Sequence, residues 1–422
     1  KIEAMTKRLI LAFVFLSWHL VACSNGDSGI SSGLPDKPSA EEDSPGTETI
    51  SEEMRVKITG EDLYISAKLD AKTDILYWFK KCMFNELFTF YRVGTIDNNM
   101  PAPATLPDAS PTSLLNLAYS DNIGPFNITG YGWCGGNHPY LDEVTQTARN
   151  IGYRIYIDGK EIKTDLSTLT KEIKIEVINE IMNPSKADTS SGKTLLNEIL
   201  CIETVNYSIY RNNIQVLVTH EFQNESPVTV QMYYGMQSMF DKETHTLTAN
   251  GKYVDWTVQK DVSTFTKKEY PSFRRFIEKS ANVYQSSYLF ADGLGNHEEI
   301  SDDDIIFIGN SSNKTYHKII ADREHKKGDI IHWSGVYTWF KSPVSDDDDL
   351  LCYEGVIDNK KVLFIDCKKN VDRTIQLPVD YTKKSFTIIE KSKSITITGN
   401  KVTAKGLRIV SDGSGSCVIT FD

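Results

Sequence analysis

From Val56 onward, apolar and polar residues alternate in short stretches rich in Val, Ile, Tyr, Phe and Thr, punctuated by Gly, Asn and Asp. A two-residue period sends successive side chains to opposite faces of an extended chain, so the pattern predicts half-buried β-strands almost throughout. Residues 153–157 and 160–162 flank Asp158-Gly159. That pair supplies the positive φ angles of a tight type I′ hairpin. Further turns are expected at residues 359–361 and at Gly399-Asn400. No long amphipathic helical pattern occurs, and only residues 271–281 are expected to form one short helix.

The strongest block spans residues 198–240, where three strands can be laid side by side. In one of them Ile214, Val216, Val218, His220 and Phe222 share a face, with Gln215, Leu217, Thr219, Glu221 and Gln223 opposite. After a turn over residues 224–227, Val228, Val230, Met232, Tyr234 and Met236 share a face of the returning strand. A broad antiparallel sheet follows from this arrangement. The predicted fold is all-β: a large antiparallel β-sandwich, up to super-sandwich size, over residues 56–340, with a smaller β-module over 350–422. The acidic Ser/Pro-containing stretch 341–349 marks the expected boundary. Large two-sheet sandwiches are common among carbohydrate-active proteins, although shape alone does not license a function.

The amino terminus departs from this pattern. Lys7 and Arg8 precede an apolar run over residues 9–21 that ends in Leu20-Val21-Ala22-Cys23. A basic segment, a short apolar core and small residues before a cysteine resemble a bacterial lipoprotein signal, with Met5 as the expected start. The resemblance implies cleavage ahead of Cys23, acylation of that cysteine and a lipid bilayer as partner. A membrane span is the competing reading, but it needs about 20 apolar residues, and this run is shorter and contains His19. Residues 24–55 are mostly Ser, Gly, Pro, Asp and Glu, a composition expected to serve as a flexible tether because it buries too little apolar surface to offset ordering. Ser24-Asn25-Gly26-Asp27 and the acidic Glu41-Glu42-Asp43 resemble the leaders of Bacteroidetes surface lipoproteins, many of which handle glycans. That resemblance implies an outer-membrane, surface-exposed location, with cell-surface uptake proteins as further partners.

Charge narrows the partner classes. Cleavage would remove Lys1, Lys7, Arg8 and Glu3, taking the net charge from −11 to about −13. Nucleic acid is excluded as a fitting partner, since its affinity depends on cations neutralising phosphates. Neutral sugars, peptides and cations are easier to accommodate, but solubility outside the cell is the simpler account of the charge. The six cysteines beyond Cys23 include no Cys-x-x-Cys pair, and their wide spacing suits no zinc site. Cys352 and Cys367 are the first candidates for a bridge, across a predicted hairpin. No cofactor is expected. Asp302-Asp303-Asp304 and Asp346 to Asp349 offer oxygen ligands of the kind calcium accepts, but neither follows the spaced calcium-loop pattern. Solvated acidic loops explain them more simply. His297, His317, His325 and His332 form no His-Glu-x-x-His, and no nucleophile elbow, phosphate loop or dinucleotide fingerprint is present.

Three constellations are candidates for chemistry. Residues 119–140 concentrate Asp121, Trp133, Asn137, His138 and Tyr140 among five glycines. Such a loop suits stacking on a sugar face and hydrogen bonding to its hydroxyls, or else forms a tight turn with Trp133 in the core. His220 lies on an otherwise apolar strand face, as a satisfied core histidine or as a catalytic group. Together His138, His220 and a tyrosine would supply the base and acid for β-elimination from a uronic acid. Trp333, Tyr337 and Trp339 share a strand face around Gly335. Exposed, they make a sugar-stacking platform; buried, they are core. Two functions follow: a non-catalytic lipoprotein that binds glycan, which predicts exposed Trp side chains, or a polysaccharide lyase or glycoside hydrolase, which predicts His138 and His220 converging in one cleft.

Overall fold

The alternation is realised as antiparallel strands in a computed structural model that describes residues 50–104, 115–118, 123–239, 244–258, 263–266, 275–280, 282–290, 303–308 and 314–421. The expected signal, Cys23 and most of the expected tether lie outside these residues, as do Asp121, His297 and Asp302. Among the described residues there is no α-helix; helical geometry is confined to short 3-10 turns such as Pro184–Lys186 and Val379–Tyr381. The helix expected over 271–281 is replaced, where described, by the strand Arg275–Ser280. It runs between Thr244–Leu247 and Val283–Leu289, and both of its faces are covered, which a one-sided helical stripe would not allow.

The central layer is a ten-stranded sheet. From one edge it runs Tyr253–Asp255, Thr244–Leu247, Arg275–Ser280, Val283–Leu289, Ile330–Phe340, Asn213–Phe222, Ile199–Tyr210, Ile173–Met182, Ala148–Ile157 and Lys160–Ile162. Two six-stranded sheets cover one of its faces. The N-terminal sheet contains Met54–Thr59, Asp62–Lys68, Thr73–Cys82 and Leu87–Asp97, and packs through Phe79 on Tyr207 and Tyr77 on Trp339. The second, here called the facing sheet, contains Lys314–His325, Val228–Met239, Ile123–Ile128 and the edge strand Gly132–Cys134. It packs through Phe126 on His220, and the Trp333 indole donates to the Tyr233 hydroxyl at 2.8 Å. One continuous apolar core joins all three sheets. The expected sandwich is therefore present.

The other face of the ten-stranded sheet carries residues 345–421. A five-stranded and a three-stranded sheet enclose a core of their own there, including Leu363, Ile365, Ile395, Ile409 and Ile419. A row of rings binds this part to the central sheet: Tyr284 on Phe340 at 4.8 Å, Phe340 on Tyr353 at 4.3 Å and Tyr353 on Phe364 at 4.9 Å.

Several local expectations hold. Asp158 and Gly159 have φ of +47° and +79° and close the hairpin of Ala148–Ile157 with Lys160–Ile162. The second such turn sits one residue earlier than expected, on Asp358 and Asn359 at +49° and +59°. The block over 198–240 departs from expectation. Ile199–Tyr210 and Asn213–Phe222 pair, but Val228–Met239 crosses to the facing sheet and pairs with Lys314–His325 and Ile123–Ile128. Each strand has one apolar face, and the two faces meet across the core instead of lying side by side. Register shifts beside Met232 and Tyr234 also break the alternation, so Tyr233 enters the core and Tyr234 takes the outer face. The Cys352–Cys367 bridge is not formed. Cys352 stands opposite Ile365 and Cys367 opposite Leu350, and all six cysteines of the described residues are buried free thiols.

At one end the layer between the sheets turns polar. Trp339 Nε1 donates to Gln285 Oε1 at 3.2 Å, Gln285 Nε2 to Ser238 Oγ at 2.9 Å, and Thr315 Oγ1 to Glu278 Oε1 at 2.6 Å. Glu278 is only 4% exposed, and its Oε2 has no hydrogen-bond partner among the described residues. Burial pushes its carboxyl from the ordinary 4.5 up to about 7. Between those values the folded state holds a proton that the unfolded chain releases, so stability falls as pH rises through this window. The shift corresponds to about 3 kcal/mol in total. Thermal unfolding measured from pH 4 to 8 is expected to show a shallower alkaline decline in Glu278→Gln than in the wild type, because the amide stays neutral throughout.

Candidate functional site

The glycine-rich segment grows from the edge strand Gly132–Cys134 of the facing sheet. Cys134 points inward and is fully buried, so Trp133, its neighbour in the strand, projects from the outer face, where it stacks on Tyr234 at 5.9 Å. Gly135 and Gly136 then take φ of +79° and +57°, which turns the chain back against the core. Two asparagines at 1–2% exposure pin this turn to the tip of the hairpin formed by Thr73–Cys82 and Leu87–Asp97. Asn85 Nδ2 donates to Gly136 O at 2.7 Å, and its Oδ1 accepts from Thr147 N at 3.1 Å. The Asn137 carbonyl accepts from Phe84 N at 3.3 Å and its side chain from Leu87 N at 3.4 Å. Asn137, expected at the ligand, is instead a buried support of the loop. Its side-chain oxygen is spent on the Leu87 backbone N–H.

Past this anchor, His138 and Tyr140 are half-buried. Tyr140 lies 6.2 Å from Trp133 and 5.7 Å from His138, and behind Trp133 the Tyr234 ring meets Tyr316 at 4.2 Å. Burial pushes the Tyr316 hydroxyl up to about 12. Gly124 permits the close fit. A Cβ at that position would lie 1.9 Å from the Tyr234 carbonyl oxygen. Burial, and next the nearby Lys314 ammonium, lower the His138 pKa from its ordinary 6.5, so its imidazole is uncharged at neutral pH. The result is a group of aromatic rings on a rigid support, beside an imidazole able to donate and accept one hydrogen bond each. Such a surface can stack on a sugar ring and bond its hydroxyls.

His220 is elsewhere. It contacts Phe126 and Tyr233 on the inner face of the facing sheet, whereas Trp133, Tyr140 and His138 gather on the outer side. His220 and Glu203 are 0% and 1% exposed, with Nε2 2.9 Å from Glu203 Oε2. Asn179 donates to the other Glu203 oxygen at 2.9 Å, and Asn150 to Asn179 at 3.0 Å. The four residues form one row across adjacent strands of the central sheet. The expected His138–His220 acid and base pair is therefore not assembled, because a β-sheet separates the two. The aromatic stripe is also corrected. Trp333, Tyr337 and Trp339 are 0–1% exposed, each with its polar atom satisfied inside the sandwich, and they make core instead of a stacking platform.

The acidic run near residue 346 is engaged by cations of the chain itself. Asp346 meets Lys279 and Lys368, Asp347 meets Arg373, and Asp349 meets Lys369. Among the described residues no group of three His, Cys, Asp or Glu side chains has metal-holding geometry. The sequence reading missed Tyr316. The signal available was the alternation Lys314, Tyr316, Lys318 on one face of its strand.

No protein-family model and no curated protein matches the chain. Among solved structures, the galactosidase domain of the alpha-galactosidase-sucrose kinase AgaSK is similar over 67% of this chain and 41% of its own, at 9% identity and a TM-score of 0.38. The GH36 alpha-galactosidase AgaB from Geobacillus stearothermophilus is similar over 68% and 41%, at 9% identity and a TM-score of 0.39. The chain thus spans about two-fifths of those proteins, and so distant a likeness carries no inference about ligand or activity.

If His220 is structural, removing it leaves the Glu203 carboxylate buried without its partner. His220→Ala is expected to lower unfolding free energy by about 3–5 kcal/mol in denaturant titration, with no change in ligand affinity under conditions where the variant is folded.

Proposed function

We propose that this protein is a lipid-anchored, extracytoplasmic lipoprotein that captures carbohydrate, held to the outer membrane through acylated Cys23 and exposed at the cell surface. The observation that carries the binding reading is the half-buried Trp133, His138 and Tyr140 group, set on a loop pinned by Asn85 and Asn137. Rings held in advance lose little freedom when a sugar stacks on them, which is what makes a small platform effective. An uncharged imidazole alongside suits hydroxyl groups. The non-catalytic reading is favoured over a lyase or hydrolase because His220, the second group of the proposed acid and base pair, is sealed in the core.

The anchor is supported by the Leu-Val-Ala-Cys run alone. Its test is metabolic labelling with a fatty acid: label is expected on the wild-type chain in the membrane fraction and none on Cys23→Ser. For binding, the intact chain is screened against a glycan array, with affinities of the ligands found then measured by calorimetry. Trp133→Ala is expected to weaken binding about tenfold, in line with the loss of one stacked aromatic and its contact area, and mass analysis of the bound sugar is expected to show no product. Unchanged affinity in both Trp133→Ala and Tyr140→Ala would remove this site from the account.

A further inference from the structure

The outer face of the facing sheet carries cations beside the aromatic group. In the strand Lys314–His325, Thr315, His317 and Ile319 are buried toward the sandwich interior, so Lys314, Tyr316 and Lys318 alternate onto the outer face. Tyr316 is the ring that meets Tyr234 at 4.2 Å, and Tyr234 in turn stacks on Trp133. Lys318 is the direct cross-strand partner of Tyr234, which places the two Cβ atoms about 5 Å apart. Lys314 lies close enough to His138 to act on its charge. Trp133, Tyr140, His138, Lys314, Tyr316, Lys318 and Tyr234 therefore belong to one patch.

The two lysines differ from the cations around Asp346. Around residue 346, Lys279, Lys368, Lys369 and Arg373 are each held by aspartates. Lys314 and Lys318 are half-buried and have no ion-pair partner among the described residues. In a chain of net charge −11, positive side chains left without carboxylates next to stacking rings are the feature to be explained. Ammonium groups hydrogen-bond anions as compact point charges, and such bonds are stronger than neutral ones.

Resting on the carbohydrate reading above, we propose that this patch recognises acidic sugars: a ring stacked on Trp133 and Tyr140, with its anionic substituent between Lys314 and Lys318. The substituent is a uronate carboxylate or a sulfate ester, which share the chemistry that the lysines read.

The test uses the intact chain and three hexasaccharides of equal length: a neutral β-linked glucan, an oligogalacturonate and a sulfated galactan. Affinities are measured by calorimetry for the wild type, for Lys314→Ala/Lys318→Ala and for Lys314→Arg/Lys318→Arg. An acidic hexasaccharide is expected to bind about tenfold more tightly than the neutral one, a preference the alanine pair erases and the arginine pair keeps. Preference for the oligogalacturonate alone assigns the carboxylate, and preference for the sulfated sugar alone assigns the sulfate; either supports the proposal. Equal affinity for neutral and acidic sugars, with Trp133 still required, overturns it while leaving the carbohydrate reading in place. Acidic preference that survives the alanine pair also overturns it, by moving recognition away from these lysines. Failure of all three sugars to bind overturns both readings. Circular dichroism of each variant guards against loss of fold, which is not expected for half-exposed lysines.

Discussion

Coverage of the central sheet on both faces is the constraint from which most other features follow. Where both faces are covered, in Val283–Leu289 and the later part of Ile330–Phe340, the simple apolar-in, polar-out pattern is lost, because neither side meets water. Ile330–Phe340 illustrates this. Trp333, Tyr337 and Trp339 fill one interface, while Val336 and Phe340 fill the other. Gly335 is required between them, since a Cβ there would lie 2.6 Å from both the Met236 sulfur and the Tyr288 carbonyl oxygen. A strand that reads as a glycine-interrupted aromatic platform is in fact the seam where three layers meet.

The candidate site arises where that coverage ends. At the edge strand Gly132–Cys134 the alternation that buries Cys134 necessarily turns Trp133 outward. Glycines then let the chain fold back far enough for Asn85 to hold it. Rigidity at the site is thus inherited from the sandwich, and the exposed rings cost the fold little. The buried Asn150, Asn179, Glu203 and His220 row shows the opposite economy. Polar groups there are admitted to the core because each of these four has a hydrogen-bonded neighbour on the next strand, which is the condition for burying them at tolerable cost.

Much of the fold was legible in the residue pattern. Strand content, the Asp158-Gly159 turn and the inward face from Ile214 to Phe222 all follow from local chemistry, and the structure reproduces them. Sheet membership was not legible. Val228–Met239 reads like the next member of a hairpin series, and only its partners 75 to 112 positions away place it in another layer. The bulges that exchange Tyr233 for Tyr234 leave no mark in composition. For the candidate site, residue types brought Trp133, His138 and Tyr140 forward and the structure gathers them in one group, whereas the burial of Asn137 and the choice of core over platform for the stripe from Trp333 to Trp339 depend on distant strands. Tyr316 was missed for the same reason: its role exists only through contact with Tyr234.

The crossing of Val228–Met239 between layers also has a kinetic side. Its two neighbours are Ile123–Ile128, made long before it, and Lys314–His325, made long after. A nascent chain that stops short of residue 325 therefore has an incomplete facing sheet and a bare side to the large one, with Phe126 and Tyr233 lacking their full set of partners. Closure over such sequence separations is slow, and unpaired edges left open in the meantime invite association with other chains. Assembly of this protein is consequently governed by the arrival of its late strands, and its yield in the cell should depend on whatever shelters the early ones until then.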